Sequence, residues 1–201
     1  MRLIPIDPGH RETFWHRNCV GVGLSAGFIE PLEASALVLV ELSAHMLADQ
    51  LPANRDVMDI IADKFNQSFT HRWQQIIGFL KLHYVLSHRC DSTYWIDHRR
   101  PESIPDDLRD QLELWSVRSP WFRDEYRVDE MFPSASYQYV LYGMGFTGSS
   151  SIRRRRASDA ETQRARELFA INHDSVTKYV AHLPSNRGLL EQIRAAATAK
   201  M

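Results

Sequence analysis

Apolar residues return at helical spacing over most of the chain. From Asn54 onward, Val57, Ile61, Phe65, Phe69 and Trp73 mark one face, and Ile76, Ile77, Leu80 and Tyr84 carry it on. This predicts one long helix from a cap at Asn54 to about Leu86. Gly78 costs about 1 kcal/mol against alanine inside it, which predicts a close helix contact or a kink there. Upstream, Leu37, Val40, Ala44 and Leu47 predict a helix from about Leu32 to Leu51, with Glu41 and His45 as an i,i+4 pair. Pro52 stops it, because a proline disfavours helix in the residue before it. Downstream, Asp91 and Ser92 read as the cap of a short helix from Thr93 to His98. Asp106 and Asp107 open another, reaching Val117 with Leu108, Leu112 and Trp115 inward. An aromatic loop, Ser119 to Phe122, and a polar reach, Arg123 to Glu130, follow. Tyr137 to Gly145 forms one helical segment ending at a glycine. Ser158 with Glu161 fits a capping box for a helix to about Leu183, and a last helix runs through Ala197.

The N-terminal part has a different rhythm. Arg2 to Ile6 alternates like the tail of a strand, and Asp7-Pro8-Gly9 is a turn signal. His10 to Arg17 reads as a solvated turn with a packed aromatic, and no chemistry is assigned to His10 or His16. Asn18 to Leu37 then reads NCVGVGLSAGFIEPLEASAL. Cys19 to Leu24 predicts a short buried strand, and Ser25 to Ile29 a turn of small residues. Pro31 suits a first helical turn, where its missing N–H has no intrahelical partner. Glu30 and Glu33 place acid in that turn, where the helix dipole favours it. The free amides of such a helix start form an anion or phosphate site.

Composition narrows the class. The 201 residues make one domain or one large piece. With 44% apolar residues and a net charge of -1, the chain is neither disordered nor of nucleic-acid-binding type. The Arg153 to Arg156 run reads as a solvated helix entry. Cys19 and Cys90 form no metal motif and no disulfide framework. No signal peptide is evident, and the longest apolar run is broken by Glu41, His45 and Asp49, so no membrane span is expected. The expected setting is soluble and cytoplasmic.

The stretch GLSAGFIEPLEASA, Gly23 to Ala36, resembles the GxxAGFxEPLE signature of flavin-dependent halogenases of the tryptophan halogenase family. GFLKLHYVLSHRCDSTYW, Gly78 to Trp95, is similar to that family's FIxxHYxxSxRxDSxFW. MFPSASYQYVLYGMGF, Met131 to Phe146, resembles the end of its substrate region. The resemblance implies a catalytic or substrate-positioning acid at Glu33, halide-binding amides at Ser35 and Ala36, and flavin contacts at Leu24 and Leu37. It implies FAD, used as FADH2 from a separate flavin reductase, chloride or bromide as the halide, and an electron-rich ring, tryptophan or another indole, as substrate. Pro133, Ser134, Ala135 and Ser136 stand where members acting on free tryptophan carry asparagines and a longer insertion, so free tryptophan is the less expected substrate. His83 and Tyr84 read as packing and hydrogen-bonding their helix against the core.

The sequence holds no GxGxxG joining a strand to a helix as a flavin pyrophosphate site does, no WxWxIP and no lysine in the family's catalytic context. The expected fold class is therefore mainly α: the C-terminal helical part of a flavin-monooxygenase-like α/β FAD-binding fold, with one or two N-terminal strands. The expected division puts the last strand-turn-helix start of the FAD-binding module at 1–36 and the helical substrate-pocket region at 37–201. Tight FAD binding by this chain alone is not expected, and an uncovered apolar helix face makes self-association possible. The alternative is a non-catalytic helical remnant that binds an aromatic ligand or a partner.

Overall fold

The computed structural model of the chain describes residues 5, 7–122, 124, 131–148 and 157–198. Two compact units divide it, residues 1–154 and 155–201. The first opens with four two-residue strands: β1 (Gly9–His10), β2 (Trp15–His16), β3 (Cys19–Val20) and β4 (Gly27–Phe28). β1 pairs antiparallel with β4, Gly9 opposite Phe28, and β2 pairs antiparallel with β3, Trp15 opposite Val20. A Cβ on Gly27 would stand 2.7 Å from the Gly9 carbonyl oxygen, so only glycine lets these two backbones meet. The helices are α1 (Ser35–Gln50), α2 (Met58–Leu86), α3 (Thr93–Asp97), α4 (Asp106–Val117) and α5 (Ser134–Gly143).

The expectation of a mainly helical chain with little strand is met. Five local expectations need correction. The strand expected over Cys19 to Leu24 stops at Val20, because Gly23, at φ +60, turns the chain into a 3-10 turn over Gly23–Ser25. The helix expected from Leu32 begins at Ser35, because Ala34 adopts the left-handed conformation, φ 54 and ψ 21. The segment expected from Tyr137 begins at Ser134 and ends at Gly143, since Pro133 sets a start that the aromatic run hides. His45 pairs at 3.1 Å with Asp49, one turn after it, and not with the expected Glu41 one turn before it. Ser92 makes no side-chain cap at α3; the neighbouring Asp91 carboxylate instead accepts from Arg89 Nε at 3.0 Å and Nη2 at 2.6 Å. The Arg2 to Ile6 strand and the Arg153 to Arg156 entry lie outside the described residues, apart from Pro5, as does Arg123 to Glu130 apart from Asp124.

α2 is the axis of the first unit. Its first half buries Ala62, Phe65, Phe69, Trp73 and Ile76 against Phe14, Trp15, Ala26 and Leu39. Its second half buries Phe79 and Leu82 against Leu108, Trp115, Tyr137 and Leu141. Asn54 caps the entry, its side chain accepting from the amides of Asp56 and Val57. Asn66 ties the N-terminal hairpin to the helix. Its Oδ1 accepts from Phe14 N at 2.9 Å and Trp15 N at 2.7 Å, and its Nδ2 donates to Trp15 O at 2.9 Å. Gly78 makes neither the expected close contact nor a break: open space surrounds its missing Cβ and α2 continues to Leu86.

α1 packs on α2 through Leu39, with Leu42, Met46 and Leu47 partly buried beside it. Of the expected stripe, Leu37 and Val40 are exposed. This helix is apolar on more than one side, so periodicity alone does not choose the inner face; packing does.

The second unit holds α6 (Asp159–His182) and α7 (Asn186–Thr198). The capping box forms as expected, with Ser158 Oγ accepting from Glu161 N at 3.2 Å and Glu161 Oε2 accepting from Ser158 N at 2.7 Å. Neither helix buries a residue fully.

Candidate functional site

The site grows from the turn between β4 and α1. Ala34 N donates to Pro31 O at 3.2 Å, and the left-handed Ala34 then redirects the chain into α1. Glu30 and Glu33 therefore precede the helix. The expectation that they sit in its first turn, favoured by its dipole, is corrected.

What holds these acids is the last turn of α2. Tyr84 OH donates to Glu30 Oε1 at 2.8 Å, and His83 Nε2 stands 3.0 Å from Glu33 Oε1. Two consecutive residues of one helix thus meet two acids spaced three apart on another segment. Burial first, then the bond to Glu30, then Tyr94, push the Tyr84 phenol well above its ordinary pKa. Its ring stacks on His98, centroids 4.5 Å apart. His98 Nδ1 in turn accepts from Lys81 Nζ at 2.8 Å, and Lys81 also donates to Ser103 Oγ at 3.1 Å. Burial lowers the pKa of Lys81; burial, then the Lys81 cation, lower that of His98. This polar chain anchors the α3 region to α2.

Glu33 and His83 line an open cleft against α5, with Ala135, Tyr139, Tyr142 and Met144 on its other side. Tyr139 is 85% exposed, and Tyr142 is steadied by a 2.8 Å bond from its hydroxyl to Ser119 Oγ. The cleft so combines one acid with open aromatic faces.

The other predicted residues gather at the start of α1. Ser35 and Ala36 are its first two residues, whose amides have no intrahelical acceptor. Ser35 is buried, and its Oγ has no hydrogen-bond partner. Leu37 follows, 77% exposed, and Leu24 on the packed 3-10 turn is 81% exposed. The structure thus brings Ser35, Ala36, Leu37 and Leu24 to neighbouring elements and sends the Glu33 carboxylate to His83.

Sequence reasoning missed the partnership of His83 and Tyr84 with the two acids. The only signal was the adjacency of two hydrogen-bonding residues at a helix end, matched to two acids three apart. Among the described residues no group of three His, Cys, Asp or Glu is placed to hold a metal ion, and no helix is long and apolar enough to cross a membrane. Cys19 and Cys90 are free and exposed.

A family model described as tryptophan halogenase matches residues 1–160. The chain is 29% identical over 187 residues to a 7-chloro-L-tryptophan 6-halogenase of Kutzneria sp. (strain 744), covering 90% of this chain and 36% of that protein. Among solved structures, a tryptophan halogenase from Shewanella frigidimarina NCIMB 400 superposes with a TM-score of 0.85 at 46% identity, over 94% of this chain and 36% of the other. A flavin-dependent halogenase from Brevundimonas sp. BAL3 superposes with a TM-score of 0.78 at 32% identity, over 94% and 37%. The chain spans little more than a third of the length of these relatives.

Proposed function

The chain belongs to the tryptophan halogenase family, and from that premise we propose that it forms the substrate-side part of a flavin-dependent halogenase acting on an electron-rich aromatic ring. The observation that carries the reading is Glu33, held by His83 at the edge of a cleft with exposed tyrosine faces.

The residues present fit a halide and a flavin ring. The orphaned, buried Ser35 Oγ beside the unpaired Ser35 and Ala36 amides suits an anion. Leu24 and Leu37 offer exposed apolar surface suited to a planar ring. The flavin pyrophosphate asks for a GxGxxG turn between a strand and a helix, whereas that spacing here, Gly143 to Gly148, begins at the end of α5. The proposed activity is therefore that of the complete enzyme, with reduced flavin delivered by a separate reductase.

Reduced flavin and oxygen supply the oxidising equivalents that make halide electrophilic. The Ser35 and Ala36 amides would hold the halide, and Leu24 and Leu37 would offer the flavin ring its apolar surface. Tyr139 and Tyr142 face the substrate ring, where aromatic pairs add about 0.5–1.5 kcal/mol beyond burial. As the carbon–halogen bond forms, the ring becomes cationic, and the Glu33 carboxylate stabilises that charge. The ring proton then passes to Glu33, and the C–H electron pair restores aromaticity.

The test is a halide swap. The complete enzyme with a flavin reductase, oxygen and an indole is given bromide, chloride or neither, and products are read by mass spectrometry. The expected product carries whichever halide is supplied and is absent without one. An oxygenated product formed without halide would instead mark a flavin hydroxylase and overturn the reading.

A further inference from the structure

His83 is held at both ring nitrogens. Nδ1 lies 2.9 Å from the Phe79 carbonyl oxygen one turn back. A carbonyl only accepts, so Nδ1 carries a proton. Nε2 lies 3.0 Å from Glu33 Oε1. A ring with its proton on Nδ1 alone would turn a lone pair at Nε2 toward the lone pairs of that oxygen. A contact at this distance therefore has a proton between Nε2 and Oε1, a hydrogen bond that fixes this oxygen. The ring plane is fixed by the Phe79 ring, edge-on at 5.1 Å and 89°.

Glu33 itself sits on a turn outside α1, where no helical backbone bond orders it. Its Oε1 is taken by His83, while Oε2 has no protein partner among the described residues and the side chain borders the cleft. The segment is tethered to α2 independently, through Tyr84 and Glu30. The His83 bond is thus not required to keep the turn in place; what it adds is the orientation of one carboxylate.

We infer that His83 is the positioning residue for Glu33, binding Oε1 so that Oε2 is presented to the substrate ring. The inference rests on the reading of Glu33 given under the proposed function. Since a carboxylate displaced by about 1 Å costs on the order of 10²-fold in rate, losing this bond should act on turnover and not on substrate binding.

Two measurements test it. In the complete enzyme, His83→Phe keeps a ring of similar size and removes both nitrogens, while His83→Gln keeps a donor near the Nε2 position. His83→Phe should lower kcat by about 10- to 10²-fold with little change in KM. His83→Gln should recover most of that loss, and His83→Phe should cost nothing further in a Glu33→Gln background. A parent kcat in His83→Phe, or an equal cost in both backgrounds, would overturn the inference and leave the Glu33 reading standing. A parent rate in Glu33→Gln would instead remove that reading. The bond is then read separately, from long-range 1H–15N spectra of the imidazole in the full 201-residue chain. Glu33→Gln should change the His83 Nε2 signal and leave Nδ1 in place; an unmoved Nε2 signal would show that His83 does not hold Glu33.

Discussion

Ala34 decides where the acid goes. A left-handed backbone at a residue with a Cβ costs about 1–2 kcal/mol, and Ala34 holds φ 54. Glycine adopts it freely at some cost in unfolded-state entropy, so Ala34→Gly should stabilise the chain by about 0.5–1 kcal/mol. A denaturation midpoint that falls in this variant would contradict the strain argument. This turn was only half legible in the sequence. EPLE announced a helix nearby, and Pro31 with two acids looked like its first turn. Nothing in alanine signals a left-handed conformation, so the start was set three residues early. The pairing of Glu33 with His83 was illegible for another reason: partners fifty positions apart leave no local pattern.

At the scale of elements, α2 was read best. Its end and the buried Phe65, Phe69, Trp73, Ile76 and Leu80 followed from a single period, whereas the expected cap, Asn54, serves a 3-10 turn over Arg55–Val57 and α2 itself starts at Met58. Gly78 was the exception, because a costly glycine suggested a contact that the fold does not make. With open space at its Cβ, Gly78→Ala should raise stability by about 0.5–1 kcal/mol; a loss on chemical denaturation would reveal a neighbour there. The α4–α5 region depends on Asp124. Burial alone would raise the pKa of this carboxyl, but Arg118, the Trp121 amide and the Trp115 indole outweigh it and hold it below the usual range. A depressed folded pKa contributes stability above the unfolded value, about 4, and loses it as pH falls through the folded value. Asp124→Asn should therefore cost about 1–3 kcal/mol near neutrality, and the difference from the parent should close below about pH 4. A gap that persists at low pH would assign the effect to packing. No sequence signal linked Asp124 to Trp115, since an indole donor and a carboxylate nine residues apart follow no helical spacing.

For the whole molecule, the family was legible because three separated motifs agree with one another, and the family model and relatives covering 90% or more of the chain bear the family out. The inner face of α1 was not legible, since its apolar residues lie on several sides. Leu37 and Leu24 are exposed, and under the proposed function that surface faces the flavin. Under the proposed function, the turn before α1 presents amides and apolar side chains to halide and flavin and a histidine-held carboxylate, Glu33, to the reacting ring. The most direct measurement is halogenated indole formed per unit time by the complete enzyme, with reduced flavin and bromide, for the parent and for Glu33→Gln. The substitution keeps size and removes charge, so product formation should fall by about 10²-fold or more, as on losing a transition-state electrostatic partner. Halide and flavin binding should change little, because the Ser35 and Ala36 amides remain. Halogenation at the parent rate would show that Glu33 only shapes the turn before α1, and would contradict the mechanism.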